Sequence, residues 1–341
     1  MSLKLSLSVV DQSPMREGGN AGEALWETIE LAVIAESLGY RRYWVAEHHH
    51  LPNFAGTSPE MLVGQIAART GTIRVGSGGV MLPHYSSLKV AENFRILDAL
   101  YPGRIDLGVG RAPGSDQLTA LALSYPNHPK AVEQFPEQVR DLLGYLWDDM
   151  GEDHPFAQVQ AAPSPSDTAP QVWLLGSRFE GAYLAAQMGL PFAYAHFFGL
   201  GARDGPEIVE GYRKYFQPSK YLSEPLVNVG VHVLCAETEE EARRLASSRN
   251  LGRLRSVTGR ARGIPAADEA LNYPYRPDEL ALVQQYARNC VDGDPQQVRE
   301  RLEAIAESYQ TPDLSIVTIC HAFADRVRSY ELVARACGIV E

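Results

Sequence analysis

Ile73-Arg-Val-Gly-Ser-Gly-Gly-Val-Met-Leu-Pro83 and Arg104-Ile-Asp-Leu-Gly-Val-Gly-Arg111-Ala-Pro-Gly114 decide the fold. Between them lie a helical segment from Ser86 to Leu100 and the turn Tyr101-Pro-Gly103. The order is strand, helix, strand, with glycines at both strand ends. Glycine weakens a strand and marks places where a ligand or another backbone comes close. Two such ends, one helix apart, fall on the same rim of a parallel sheet, so the stretch reads as a cofactor cradle.

Outward from this unit the alternation continues. Leu3 to Val10 has the two-residue period of a strand, and Ala24 to Leu38 has a helical face with Gly39 at the C-terminal cap position. Arg42 to Glu47 is a strand, and Ser58-Pro59 opens a helix. Further strands are expected at about 172, 191, 227 and 314, with a capping box at Thr238-Glu-Glu-Glu241 and a helix opened by Asp294-Pro295. Eight strands, each followed by helix, predict one (β/α)8 barrel domain over residues 1–341. Two excursions, at about 115–171 after strand 4 and about 250–293 after strand 7, read as insertions. In such a barrel ligands sit at the C-terminal strand ends. Those ends are Asp11, Glu47-His48, Gly78-Gly79, Gly110-Arg111, Ser177-Arg178, His196, Cys235 and His321.

Composition excludes several classes. The 341 residues are 45% hydrophobic and 21% charged, a globular balance. A net charge of -11 argues against nucleic acid, whose binding depends on cationic contacts to phosphate. No run has the length of a membrane span, and the first strand is no signal peptide. Cys235, Cys290, Cys320 and Cys337 form no Cys-x-x-Cys pair and read as small buried residues in a reducing, cytoplasmic compartment.

Three motifs carry chemistry. Gly108-Val-Gly110-Arg-Ala-Pro-Gly114 fails as a dinucleotide fingerprint, because its third glycine is one residue late and Pro113 interrupts the helix start. What it offers is Arg111, a cation among glycines suited to fork onto a phosphate. Gly176-Ser177-Arg178 supplies a hydroxyl and backbone N–H groups at a helix start, which is an anion site or a simple cap. His48-His49-His50 cannot converge on one metal, since successive strand residues face opposite ways. His48, at the strand end, is the candidate general acid/base.

Trp44-Val-Ala-Glu-His-His49, Val75-Gly-Ser-Gly-Gly-Val-Met-Leu-Pro83, Tyr101-Pro-Gly-Arg-Ile-Asp-Leu-Gly-Val-Gly-Arg-Ala-Pro-Gly-Ser115 and Trp173-Leu-Leu-Gly-Ser177 resemble the bacterial luciferase-like flavin monooxygenases. The likeness is to the homo-oligomeric branch and covers nearly the whole chain. It implies a TIM barrel, a homodimer served by a transient flavin reductase, and reduced FMN reacting with O2 on a small-molecule substrate.

 Residue by residue, His48 matches the family's active-site histidine, Gly78-Gly79 its non-prolyl cis peptide beside the flavin ring, and Arg111 and Ser177 its phosphate ligands. Arg178 and Phe179 stand where many relatives carry small or hydroxylated residues, which implies a rearranged or more cationic phosphate pocket. The same resemblance admits two other readings, a deazaflavin (F420)-dependent oxidoreductase and a flavin-binding protein without turnover.

Overall fold

The computed structural model describes residues 4–112, 116–127, 131–165, 167–198 and 204–340. Its strands are β1 (Ser6–Asp11), β2 (Arg42–Val45), β3 (Arg74–Met81), β4 (Ile105–Gly110), β5 (Gln171–Gly176), β6 (Phe192–Ala195), β7 (Val227–Cys235), β8 (Val291–Gly293) and β9 (Asp313–Val317). The helices of the first half are α1 (Ala21–Ser37), α2 (Pro59–Ala67), α3 (Ser87–Leu100), α4 (Gln117–Ser124) and α5 (Phe135–Trp147). Those of the second half are α6 (Phe179–Gln187), α7 (Gly205–Tyr215), α8 (Glu239–Val257), α9 (Ala267–Leu271), α10 (Pro277–Ala287), α11 (Pro295–Ser308) and α12 (Phe323–Ala336).

Strands β1 to β6 pair in succession, β6 pairs with β7, β7 with β9, and β9 with β1, all in parallel. The ring of eight closes as a (β/α)8 barrel, as the alternation predicts. β8 pairs with the far end of β7 and stands outside the ring. It was not foreseen, because three residues are too few for a period to register. The helix after β7 is also longer than its sequence suggests: α8 runs to Val257, past the expected start of the excursion at about 250. Its buried side includes Arg249, Arg255, Ser247 and Ser248, so no apolar stripe marks its second half.

Alternation along each strand sorts the core into two layers. Leu7, Val9, Val45 and Val75 face the helices and pack with Leu31, Ile66 and Phe94. Val10, Trp44, Trp173 and Val317 face the barrel axis, where the two indoles meet edge-on at 5.2 Å. Gly76 and Gly108 make this possible. A Cβ on Gly76 would lie 2.2 Å from the Asp106 carbonyl oxygen, and one on Gly108 would lie 2.3 Å from that of Ser77. These two glycines therefore serve close backbone approach inside the barrel, not a ligand.

Beneath the indoles the barrel is closed by ions. Arg42 donates to Asp313 at 2.7 Å and lies 3.4 Å from Asp106, with its guanidinium carbon 5.0 Å from the Trp173 ring centroid. Asp106 also accepts from Arg74 Nε and from Trp44 Nε1, each at 2.9 Å, and Asn228 donates to Asp313 at 2.9 Å. Asp11, expected at the ligand rim, is instead a buried clamp: it accepts from Ser13 N and from Tyr43, and pairs with Arg326 of α12 at 3.1 Å.

Candidate active site

The histidine triplet leaves β2 in three directions. His48 has its backbone N–H bonded to the Gly56 carbonyl at 2.9 Å, and its ring stacks on Phe54 with centroids 4.8 Å apart. Its Nδ1 is buried without a protein partner. His49 faces Glu47 Oε1 at 2.8 Å. His50, with φ +54°, faces Asp116 at 2.9 Å on the surface. Glu47 itself is buried and accepts from Met81 N at 2.9 Å and from the Tyr85 hydroxyl at 2.7 Å. One carboxylate thus ties the end of β2 to the end of β3, where the Gly78–Gly79 peptide is cis.

Two chambers adjoin at the C-terminal mouth of the barrel. One, of about 490 Å³, is lined by Gly78, Gly79, Arg111, Ser177 and Arg178. The other, of about 400 Å³, is lined by His48, Glu47, Phe54, His232, Arg249 and Arg253. Met81, Ala112, Phe197 and Phe198 belong to both walls. All six site residues expected from the sequence therefore meet at one mouth. Pro113 and Gly114 of the glycine motif lie outside the described residues. Phe179 does not line either chamber; it is exposed and stacks on Tyr183 of α6, with centroids 6.0 Å apart.

The first chamber places two guanidinium groups, Arg111 and Arg178, beside a helix start. Ser177 and Arg178 immediately precede α6, whose first-turn N–H groups carry the positive end of the helix dipole. Arg111 comes from the end of β4 and lies 3.4 Å from Glu180 in that first turn. The Glu180 carboxyl is held below its ordinary range, first by the backbone N–H at its own position and then by the Arg111 charge.

The second chamber keeps its imidazoles neutral. Burial pushes His48 down to about 4, against the opposing pull of the Glu47 charge, and pushes His232 down to about 3. Below the ordinary imidazole value near 6.5 the unfolded chain gains protons that these folded rings refuse. Stability should be full above that value and fall as the pH drops toward 4, by roughly 3 kcal/mol for each ring. Urea midpoints measured across this window should decline, and His232→Gln should flatten part of the slope. An unchanged slope in that variant would place the titrating groups elsewhere.

The cysteines take no part. Cys235, Cys290 and Cys320 are buried and Cys337 is partly so, and burial raises every thiol, Cys235 and Cys320 to about 12. Sequence reasoning missed His232, Arg249, Arg253 and the Phe197-Phe198 wall. A signal existed for the arginines, whose spacing with Val257 repeats every four residues.

A profile of the luciferase-like monooxygenase family matches residues 5–311. The chain belongs to that family. It is 45% identical over 333 residues to the uncharacterized protein YwcH of Bacillus subtilis (strain 168), covering 97% of this chain and 99% of the relative. It is 36% identical over 332 residues to the N-acetyl-S-alkylcysteine monooxygenase of the same organism, covering 97% and 98%. The crystal structure of apo-MsnO8 superposes with a TM-score of 0.90 at 39% identity, covering 98% of this chain and 99% of that one. Fold alone is shared with an FMN complex of the oxygenating constituent of 3,6-diketocamphane monooxygenase from Pseudomonas putida (TM-score 0.71, 20% identity, 99% of each chain). The same holds for an F420-dependent secondary alcohol dehydrogenase (TM-score 0.67, 18% identity, 98% and 99%). The chain is thus an oxidoreductase of the monooxygenase class. Among the described residues no helix is long and apolar enough to cross a membrane.

Proposed function

We propose that this enzyme binds reduced FMN, supplied by a separate flavin reductase, and uses it with O2 to oxygenate a small organic molecule. The carrying observation is the junction of an anion chamber and a histidine chamber at one barrel mouth. Arg111, Ser177, Arg178 and the start of α6 would hold the phosphate, with Gly78 and Gly79 beside the ring. When bound, the flavin supplies two electrons, so that one oxygen atom enters the substrate and the other leaves as water. His48, neutral at pH 7, acts as a hydrogen-bonding acid/base group, and Phe54, Phe197 and Phe198 exclude water. FMN is favoured over F420 because relatives above 30% identity include named monooxygenases, whereas the F420 likeness is one of fold. Exposed Met61, Leu100 and Leu118 on α2, α3 and α4 support a homodimer.

The purified chain with FMN, NADH and air should oxidise NADH no faster than a blank. Adding a flavin reductase should start oxygenation of a suitable substrate. Rapid NADH oxidation by the chain alone would show a nicotinamide site and overturn the two-component reading.

Arg111→Ala should weaken FMN by roughly tenfold to a hundredfold, the loss of a charge-assisted contact worth about 1.5–3 kcal/mol. Riboflavin, lacking phosphate, should bind that variant as it binds the parent. Quenching of flavin fluorescence measures both, and equal losses would make Arg111 a structural residue.

A further inference from the structure

Arg249, Arg253 and Val257 fall on one side of α8 and all line the chamber that contains His48. The other charged groups of that wall are already engaged. Arg249 is buried and forks onto Asp292, with contacts of 2.8 and 2.7 Å. Glu47 is met by Met81 N, the Tyr85 hydroxyl and His49. Arg253 has no carboxylate within ion-pair distance among the described residues; its guanidinium carbon lies 5.6 Å from the Tyr286 ring centroid. In a chain of net charge -11, a cation left without a counter-ion on a cavity wall is a place for an anion to come.

Behind Arg253 a smaller cleft of about 150 Å³ opens between α8 and α10, lined by Leu254, Val257, Leu282 and Val283. Arg253, Val257, Tyr286 and Phe198 border both this cleft and the His48 chamber. The cation therefore stands at the junction of an apolar recess and the site of chemistry. Small pockets of this kind take their selectivity from one polar group placed against apolar walls.

We propose that the substrates are small carboxylic acids with an apolar skeleton, the carboxylate bound by Arg253 and an apolar arm seated in the cleft between α8 and α10. This rests on the His48 chamber being the substrate side of the flavin site. Arg253 is a specificity residue in this arrangement, and the planar guanidinium suits a carboxylate better than a lysine would.

Calorimetric titration of the full chain, with and without FMN, should show hexanoate binding more tightly than hexanamide. Arg253→Met should weaken hexanoate by about tenfold to a hundredfold, the range for a charged hydrogen bond, and leave hexanamide unchanged. Val283→Trp, which fills the cleft, should weaken the acid and the amide alike. Arg111→Ala should not affect hexanoate, which separates this site from the phosphate donors. No hexanoate binding, equal affinity for acid and amide, or sensitivity to Arg111→Ala and not to Arg253→Met would each overturn the proposal. If the acid is recognised through Arg253 while FMN fails to bind, the flavin reading alone falls; FMN binding without a preference for the acid removes this inference alone.

Discussion

His48→Ala should slow substrate oxygenation by about 10²–10⁴-fold, the usual contribution of a positioned acid/base group. The ring lies at the end of β2, its Nδ1 is buried without a protein partner, and Phe54 fixes its plane. A side chain so placed gives up hydration without recovering it from the protein, which burial records by pushing its titration down to about 4. Such a group makes sense where a bound ligand completes its hydrogen bonds. FMN titration by fluorescence should be little changed in the variant, since the phosphate donors belong to the neighbouring chamber. His48→Asn, which keeps a polar group without an acid/base function, should stay slow. Near-normal turnover in either variant would return His48 to the role of a polar wall residue.

Asp106→Ala should destabilise the barrel by about 3–5 kcal/mol, the range for removing one partner of a buried ion pair. Its carboxylate is fully buried and meets Arg42, Arg74 and the Trp44 indole N–H. Without it, Arg42 keeps only Asp313, and the Trp44 N–H loses its acceptor in the closed floor of the barrel. Asp106→Asn should recover part of the loss, because an amide oxygen can still accept from the indole while the charge is gone. Urea midpoints of the three proteins should rank parent, Asn, Ala. An alanine variant with the parent's midpoint would mean that the floor contributes nothing as a network. Neither variant touches the chambers, so flavin affinity measured well below the midpoint should remain that of the parent.

The barrel was legible in the sequence because short apolar runs, most of them buried on both faces, alternate with helical segments along the chain. Thr238 and Asp294 cap α8 and α11 through their side chains, as their positions suggest, whereas Ser58 precedes α2 without a side-chain cap bond. The positions of His48, Gly78, Gly79, Arg111, Ser177 and Arg178 were legible too, since a parallel barrel sends every strand end to one rim. The glycines were only half legible. Gly76 and Gly108 carry the same mark in sequence as Gly78 and Gly79 but line neither chamber; their missing side chains, like that of Gly79, make room for neighbouring backbone.

What the sequence by itself determined is the order of elements, the closure they permit and the rim on which chemistry collects. Only the tertiary structure decided which charges meet. Arg42 and Asp313 are separated by 271 positions and join in the barrel floor. Asp11 leaves the rim because Arg326, from the last helix, reaches it. Arg249 finds Asp292 across the segment that hides β8, and Arg253, four residues further along the same helix, finds none. The reason is physical: periodicity is a local property of the chain, whereas the pairing of buried charges depends on which distant elements share an interior, and no local pattern records that.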